Sequence, residues 1–358
     1  MDLLQIMPTL GVNLRPNTAY AEFVTDQVPL PAGNTIEQNG QLAGLLDPAQ
    51  AEMPLPTRAI EVYAPLRDYM AQQGMAPASI IGATVWTTGD PTVKIRKGAE
   101  YAASLPIAPA TEMTLLEEFP EYCVVQGFVE IPGFQRGITP YILSGGQVEW
   151  DENGNPIQQY TRNAEFVVTI PKTQPMPAAG FPMLFYHHGA GGNAEQVFTR
   201  GKYLRTAIDI VVPYKVLERG AGPSQIAAER GWASSGFGGH MSLDHLGLVL
   251  GFGMFGYNVF NPVALHNNYY QMVWERTYFR RFLNQLEVDP ALCPAADTAG
   301  APAFRINPDM QMLMGQSLGN WTSSLQLAAD PDPFEGVLFT GMSGTWIKLF
   351  TDSAKFRL

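Results

Sequence analysis

The chain has 358 residues, 15% of them charged, with 35 glycines, 29 prolines and a net charge of −11. That length exceeds the usual single domain and supplies a core large enough to need no covalent staples, so two units are expected. The acidic balance, with no cluster of Lys and Arg, argues against nucleic acid or an anionic membrane surface as partner, since both reward clustered positive charge.

Cys123 and Cys293 stand far apart with no metal-type spacing. Two buried thiols are expected, with a single disulfide as the alternative, and no metal. No positively charged start followed by an apolar run precedes residue 20, so no signal peptide is visible, and no stretch reads as an integral membrane span.

Residues 1–95 read as a β-rich module. Gly11 and Pro16 punctuate a turn, after which Tyr20, Phe23 and Val24 alternate with polar neighbours as a half-buried strand would. A helix is expected from Thr57, taken as the N-cap, through Ile60, Tyr63, Leu66 and Met70 to Gly74, with Pro65 bending it. Ile80, Ile81, Thr84, Val85 and Trp86 mark a second strand. Nothing here forms a chemical constellation, and the part reads as a structural or attachment module. Residues 96–119 carry scattered Pro and Ala without a period and read as a linker.

From residue 120 on the pattern changes. Runs at 122–131 and 164–170 are strand-like, separated by the turn cluster Asp151-Glu152-Asn153-Gly154-Asn155-Pro156. A third run, 181–186, leads directly into His187-His188-Gly189-Ala190-Gly191-Gly192. There follow a strand at 232–237, a long helix from about 268 to 286, an apolar strand at 310–314, a helix to Ala329 and a strand at 336–340. Strands alternating with helices after an initial hairpin imply an α/β fold with a mostly parallel sheet.

The chain is organised around Gly315-Gln316-Ser317-Leu318-Gly319, set between that apolar strand and that helix. At a sharp strand-to-helix turn a serine is forced into a strained backbone conformation that aims its hydroxyl outward. Small residues two before and two after it let the two backbones approach.

These segments resemble the α/β-hydrolase superfamily, and specifically secreted bacterial serine esterases and lipases that carry an immunoglobulin-like module ahead of the hydrolase domain. The likeness rests on the glycine-rich loop after an apolar strand, the serine turn, and the separation of about 125 residues between them. It implies an α/β-hydrolase domain over 120–358, an immunoglobulin-like module over 1–95, and secretion or surface display. It assigns Ser317 as the nucleophile and the backbone N–H groups of Leu318 and Ala190 as oxyanion donors. Gly189, Gly191, Gly192 and His188 shape the loop, and Gly315, Gln316 and Gly319 shape the turn. The implied substrate is a small-molecule or lipid ester, and no cofactor is called for.

Other residues take structural readings. His187 points away from the loop into the core. His240 follows the strand at 232–237, where relatives have an Asp-x-Pro-x-His-Gly sequence; the Asp and Pro are missing here, so a structural role is expected. A metal held by His240, Asp244 and His245 lacks a fourth partner. The stretch 246–273 contains no Asp, Glu, Lys or Arg and reads as a buried connection or, more sharply, as the lining of an acyl pocket.

The family pattern breaks after Ser317. Relatives present Ser, then Asp or Glu, then His, yet all five histidines here precede Ser317. Asp330 and Asp332 read as solvated turn residues; Glu335 and Asp352 follow them. The expectation is a piece of a longer product that lacks the triad base and two strands. The function expected is a serine hydrolase cleaving carboxylic esters, the alternative a catalytically silent hydrolase-like module.

Overall fold

The computed structural model describes residues 12–342 except 31, 34, 202, 205–214, 217, 251–257 and 259. The chain divides into two units, one up to Pro91 and one from Thr92.

In the first unit β1 (Ala19–Thr25) is followed by α1 (Gly40–Leu46), α2 (Thr57–Val62), α3 (Ala64–Gln73) and β2 (Ile80–Thr87). β1 and β2 pair antiparallel, and Leu42, Leu46, Leu66, Met70 and Ile80 form the core. This small antiparallel sheet is the separate β unit expected, and residues 40–73 supply helix formers that close a helical layer beside it. The expected helix is split at Tyr63, with Pro65 in the first turn of α3, and Gly74 ends it at φ 65°. Thr57 opens α2 without capping it; the cap position belongs to Pro56.

The second unit starts with α4 (Val93–Ser104) and β3 (Thr111–Glu118), where a linker was expected. Its continuation is β4 (Tyr122–Gly133), β5 (Tyr160–Pro171), β6 (Phe181–His187), α5 (Gln196–Thr199), and a small ladder of β7 (Tyr203–Leu204) with β8 (Lys215–Val216). Next come α6 (Pro223–Ala228), β9 (Ala233–Phe237), α7 (Leu243–Leu250), α8 (Pro262–Leu283), β10 (Ile306–Gln316), α9 (Leu318–Ala329) and β11 (Gly336–Thr340). The seven-stranded sheet has the order β11-β10-β6-β9-β5-β4-β3. β4, β9, β6, β10 and β11 run one way, and β3 and β5 oppose them. This is a mostly parallel α/β sheet.

Alternation along β4 explains the two layers. Cys123, Val125, Val129 and Ile131 face the side where Phe166, Phe279 and Phe282 pack, while Tyr122 and Val124 face Tyr186, Val197 and Phe198. Each such buried side chain stabilises the fold by roughly 2 kcal/mol. α4 belongs to this unit because Gly98 lies against the Trp274 indole, whose Nε1 donates to Ile95 O at 2.9 Å. Only a residue without Cβ leaves room for that ring. α8 begins six residues earlier than expected, since Asn261 caps it by accepting from Ala264 N at 3.2 Å and Pro262 fits its first turn.

Cys123 and Cys293 form a disulfide, with Cα atoms 5.9 Å apart, in place of the two thiols expected. The turn after α8 returns residue 293 to the face of β4, a proximity that a separation of 170 residues does not display. Part of the uncharged stretch 246–273 lies outside the described residues; its second half is α8, with Tyr269, Tyr270, Met272 and Val273 buried.

Candidate functional site

β10 delivers Ser317 to the carboxyl edge of the sheet and α9 leaves from it. Ser317 has φ 52° and ψ −117°, a conformation that residues with a Cβ adopt only under constraint from their surroundings. The constraint is visible. A Cβ on Gly315 would stand 2.8 Å from Asn320 Cα and from Ser323 Oγ. One on Gly319 would stand 2.7 Å from the carbonyl carbon of His187 and 2.8 Å from His188 O. Both glycines are demanded by backbone approach. Ser317 occupies the cap position of α9 without spending its side chain on a capping bond, and the helix presents the N–H of Leu318 in its first turn.

Strand β11 fastens the turn. Ser317 N donates to Thr340 O at 3.0 Å, and Thr340 Oγ1 donates to Gly315 O at 2.9 Å. Asn320, fully buried, donates from Nδ2 to Thr340 O at 2.6 Å and accepts from Thr340 N at 3.0 Å.

The loop after β6 packs on this turn at Gly189. A Cβ there would lie 3.2 Å from Ser317 Cβ and closer still to Gln316 Oε1. Gly191 adopts φ 68°, a Cβ on Gly192 would strike the His188 ring at 2.6 Å, and Ala190, between Gly189 and Gly191, is exposed. The structure thus brings residues 188–192 and 315–319 together. Arg200 joins them unannounced by any motif, donating from Nη2 to Gln316 Oε1 at 2.6 Å.

The histidines near the sheet are buried and neutral. His187 shares a hydrogen bond with Ser323 Oγ at 2.9 Å, and burial, reinforced by Arg276, holds it well below its usual 6.5. His188, bonded to Gly189 O at 2.9 Å, is pushed down to about 4 by burial and then by Arg276. His240 falls to about 3 through burial and Arg162. Its ring meets Asn268 Oδ1 at 3.2 Å and its backbone N–H donates to Glu275 Oε1, which agrees with the structural role expected. Asp244, set aside with it as a metal ligand, accepts from Ala194 N at 2.7 Å.

Among the acids after the serine, Asp332 is exposed as expected. Asp330 is not a solvated turn residue: it pairs with Arg280 of α8 at 3.1 Å and is half-buried. Asp352 lies outside the described residues.

No family model matches the sequence, and no curated protein sequence matches it. Solved structures do. A Bacteroides fragilis protein assigned as an acetyl xylan esterase is 11% identical with a TM-score of 0.39, over 69% of this chain and 51% of its own. The acetyl xylan esterase of Paenibacillus sp. R4 is 14% identical with a TM-score of 0.31, over 68% and 57%. Acetyl xylan esterase 1 of Thermoanaerobacterium sp. JW/SL YS485 is 10% identical with a TM-score of 0.32, again over 68% and 57%. The chain therefore spans about half the length of the structures it matches. At these values the likeness decides neither activity nor substrate.

Proposed function

We propose that the chain is a serine hydrolase acting on carboxylic esters through an acyl-enzyme on Ser317. The observation that carries this reading is the strained Ser317 backbone between two glycines whose Cβ atoms have no room, with the hydroxyl left unused by the helix cap. Such strain costs on the order of 1–3 kcal/mol and persists where it serves a task.

In this reading the Ser317 hydroxyl attacks the ester carbonyl. The oxyanion takes the backbone N–H of Leu318, aided by the positive end of α9, and the N–H of Ala190. Loss of one such donor costs about 3 kcal/mol of transition-state stabilisation. The alcohol leaves, and water hydrolyses the acyl-enzyme. The chemistry uses no cofactor. The disulfide supports an oxidising setting, and we extend the reading to secretion or surface display on that ground.

The step that needs most help is removal of the serine proton, since loss of the base in triad enzymes costs on the order of a millionfold in turnover. Among the described residues His187 and His188, the histidines beside the turn, are already engaged by Ser323 and Gly189. This favours a second reading, a hydrolase-like module without turnover. A fluorophosphonate probe separates the two. Labelling of the chain that disappears in Ser317→Ala, together with release of nitrophenol from a nitrophenyl ester, supports the hydrolase. Absence of labelling, or labelling that survives Ser317→Ala, leaves the silent module.

A further inference from the structure

β4 and β5 continue as a two-stranded arm beyond the carboxyl edge of the sheet. Phe237, the last residue of β9, pairs with Phe166 of β5, which pairs with Gly127 of β4. From Phe128 to Gly133 the arm runs on for six residues, about 20 Å at the strand rise. β4 runs parallel to β9, β6 and β10, so the tip of the arm rises on the edge where Ser317 lies.

The tip, residues 137–148, contains no Asp, Glu, Lys or Arg, and neither does the stretch 246–273. Two buried asparagines join them. Asn258 Nδ2 donates to Pro140 O at 2.9 Å, and Asn261 Nδ2 donates to Tyr141 O at 2.9 Å and Gly145 O at 3.1 Å. At Gly146 a Cβ would stand 2.8 Å from Ala264 Cα, so the two backbones touch. Around these contacts Ile138 and Leu143 at the tip, Phe260 just before α8 and Val263 in its first turn stand out in solvent, at 89%, 83%, 80% and 53% exposure. The nearest charges on the arm, Arg136 and Glu149, neutralise each other at 2.9 Å.

Single exposed apolar residues are ordinary, but four of them on a tip and a helix start joined by buried amides form a surface with a use. We propose that this edge of the molecule docks on an electroneutral lipid–water interface, with Ile138, Leu143 and Phe260 entering the acyl boundary. Charge decides the occupant. A chain of net charge −11 is repelled by anionic lipid, whereas a patch with no charge of its own fits a zwitterionic or neutral surface. A protein partner would find here one self-neutralised pair, Arg136 with Glu149, in place of the charged rim that fixes register and orientation. The proposal is independent of the reactivity of Ser317, and docking would turn the Ser317 edge toward the lipid.

Flotation with vesicles of pure phosphatidylcholine tests it, using the parent chain, Ser317→Ala, and the triple variant Ile138→Ser, Leu143→Ser, Phe260→Ser. The parent and Ser317→Ala should float alike, without weakening in high salt, and the triple variant should partition at least about tenfold less. Thermal melting checks that the triple variant is folded; if it is not, Phe260→Ser alone should give an intermediate loss. The proposal is overturned if the parent stays in the aqueous layer, if salt abolishes flotation, or if the variants float as the parent does. It is equally overturned if light scattering shows a parent dimer that the triple variant dissolves while neither floats, which would assign the patch to a second copy of the chain.

Discussion

The side chain of Asn320 treats Thr340 as a neighbouring strand would, donating to its carbonyl at 2.6 Å and accepting from its N–H at 3.0 Å. This pair closes the gap between the first turn of α9 and the end of β11, where backbone pairing has run out. Asn320→Leu keeps the volume but orphans the Thr340 N–H and leaves the Thr340 carbonyl with Ser317 N as its partner. A loss of about 2 kcal/mol in unfolding free energy is expected from two missing hydrogen bonds and one unsatisfied N–H. Urea denaturation would measure it, and a loss below about 0.5 kcal/mol would mean that water replaces the amide.

Two glycines beside Ser317 should respond differently to alanine. At Gly319 the obstacle is the backbone of His187 and His188, which cannot rotate away, so Gly319→Ala is expected to prevent folding or to cost more than about 3 kcal/mol. At Gly189 the nearest obstacle is the far end of the Gln316 side chain. Gly189→Ala should therefore be milder, and Gln316→Ala should recover part of its cost in a double-mutant cycle. Equal costs at the two sites, with no recovery, would contradict this packing.

Acid should destabilise the fold above the range in which ordinary carboxylates titrate. His188 is lowered to about 4, and His240 and His245 to about 3, in each case chiefly by burial. The unfolded chain takes up these protons near 6.5, whereas the folded chain refuses them until its lower values are reached. Between these limits the unfolded state binds more protons, and stability falls as pH falls, by at most about 1.4 kcal/mol per pH unit for each histidine. Asp244, raised to about 6 by desolvation, opposes one of them below that value. His240→Gln should flatten the slope of unfolding free energy between about pH 6.5 and pH 5 by close to one proton. An unchanged slope would place the proton uptake elsewhere.

Reduction of Cys123–Cys293 releases a link across 170 residues. The expected loss is about 4 kcal/mol, seen as a lower melting temperature in reductant. Both sulfurs are fully buried, so mild reductant should act slowly below the melting range. Cys123→Ala with Cys293→Ala, melting as the oxidised parent does, would show the link to be dispensable.

What could be read from the residues was local. The strands at 122–131, 164–170 and 181–186 announce themselves by apolar runs bounded by turns, and the Ser317 turn by glycines whose purpose is steric. α4 hides because its buried stripe, Ile95, Gly98, Ala99 and Ala102, is built mostly of small residues with little apolar signal. The start of α8 hides inside an uncharged run, although Asn261-Pro262 is a cap and first-turn pair that marks it. The disulfide, the Asp330 pairing with Arg280 and the Asn320 clasp on Thr340 join residues distant in the chain, and nothing near any one of them names its partner.

The bond from Ser317 N to Thr340 O also makes the serine amide a gauge of its edge strand. Among the described residues β11 is the last strand of the sheet on that side, with Val337, Leu338 and Phe339 exposed. Strands at an edge open more readily than central ones, on the low-energy end of local unfolding. Exchange of the Ser317 amide hydrogen for deuterium therefore requires Thr340 to let go, and its rate should follow that of β11 and not that of β10, the strand to which the serine is joined.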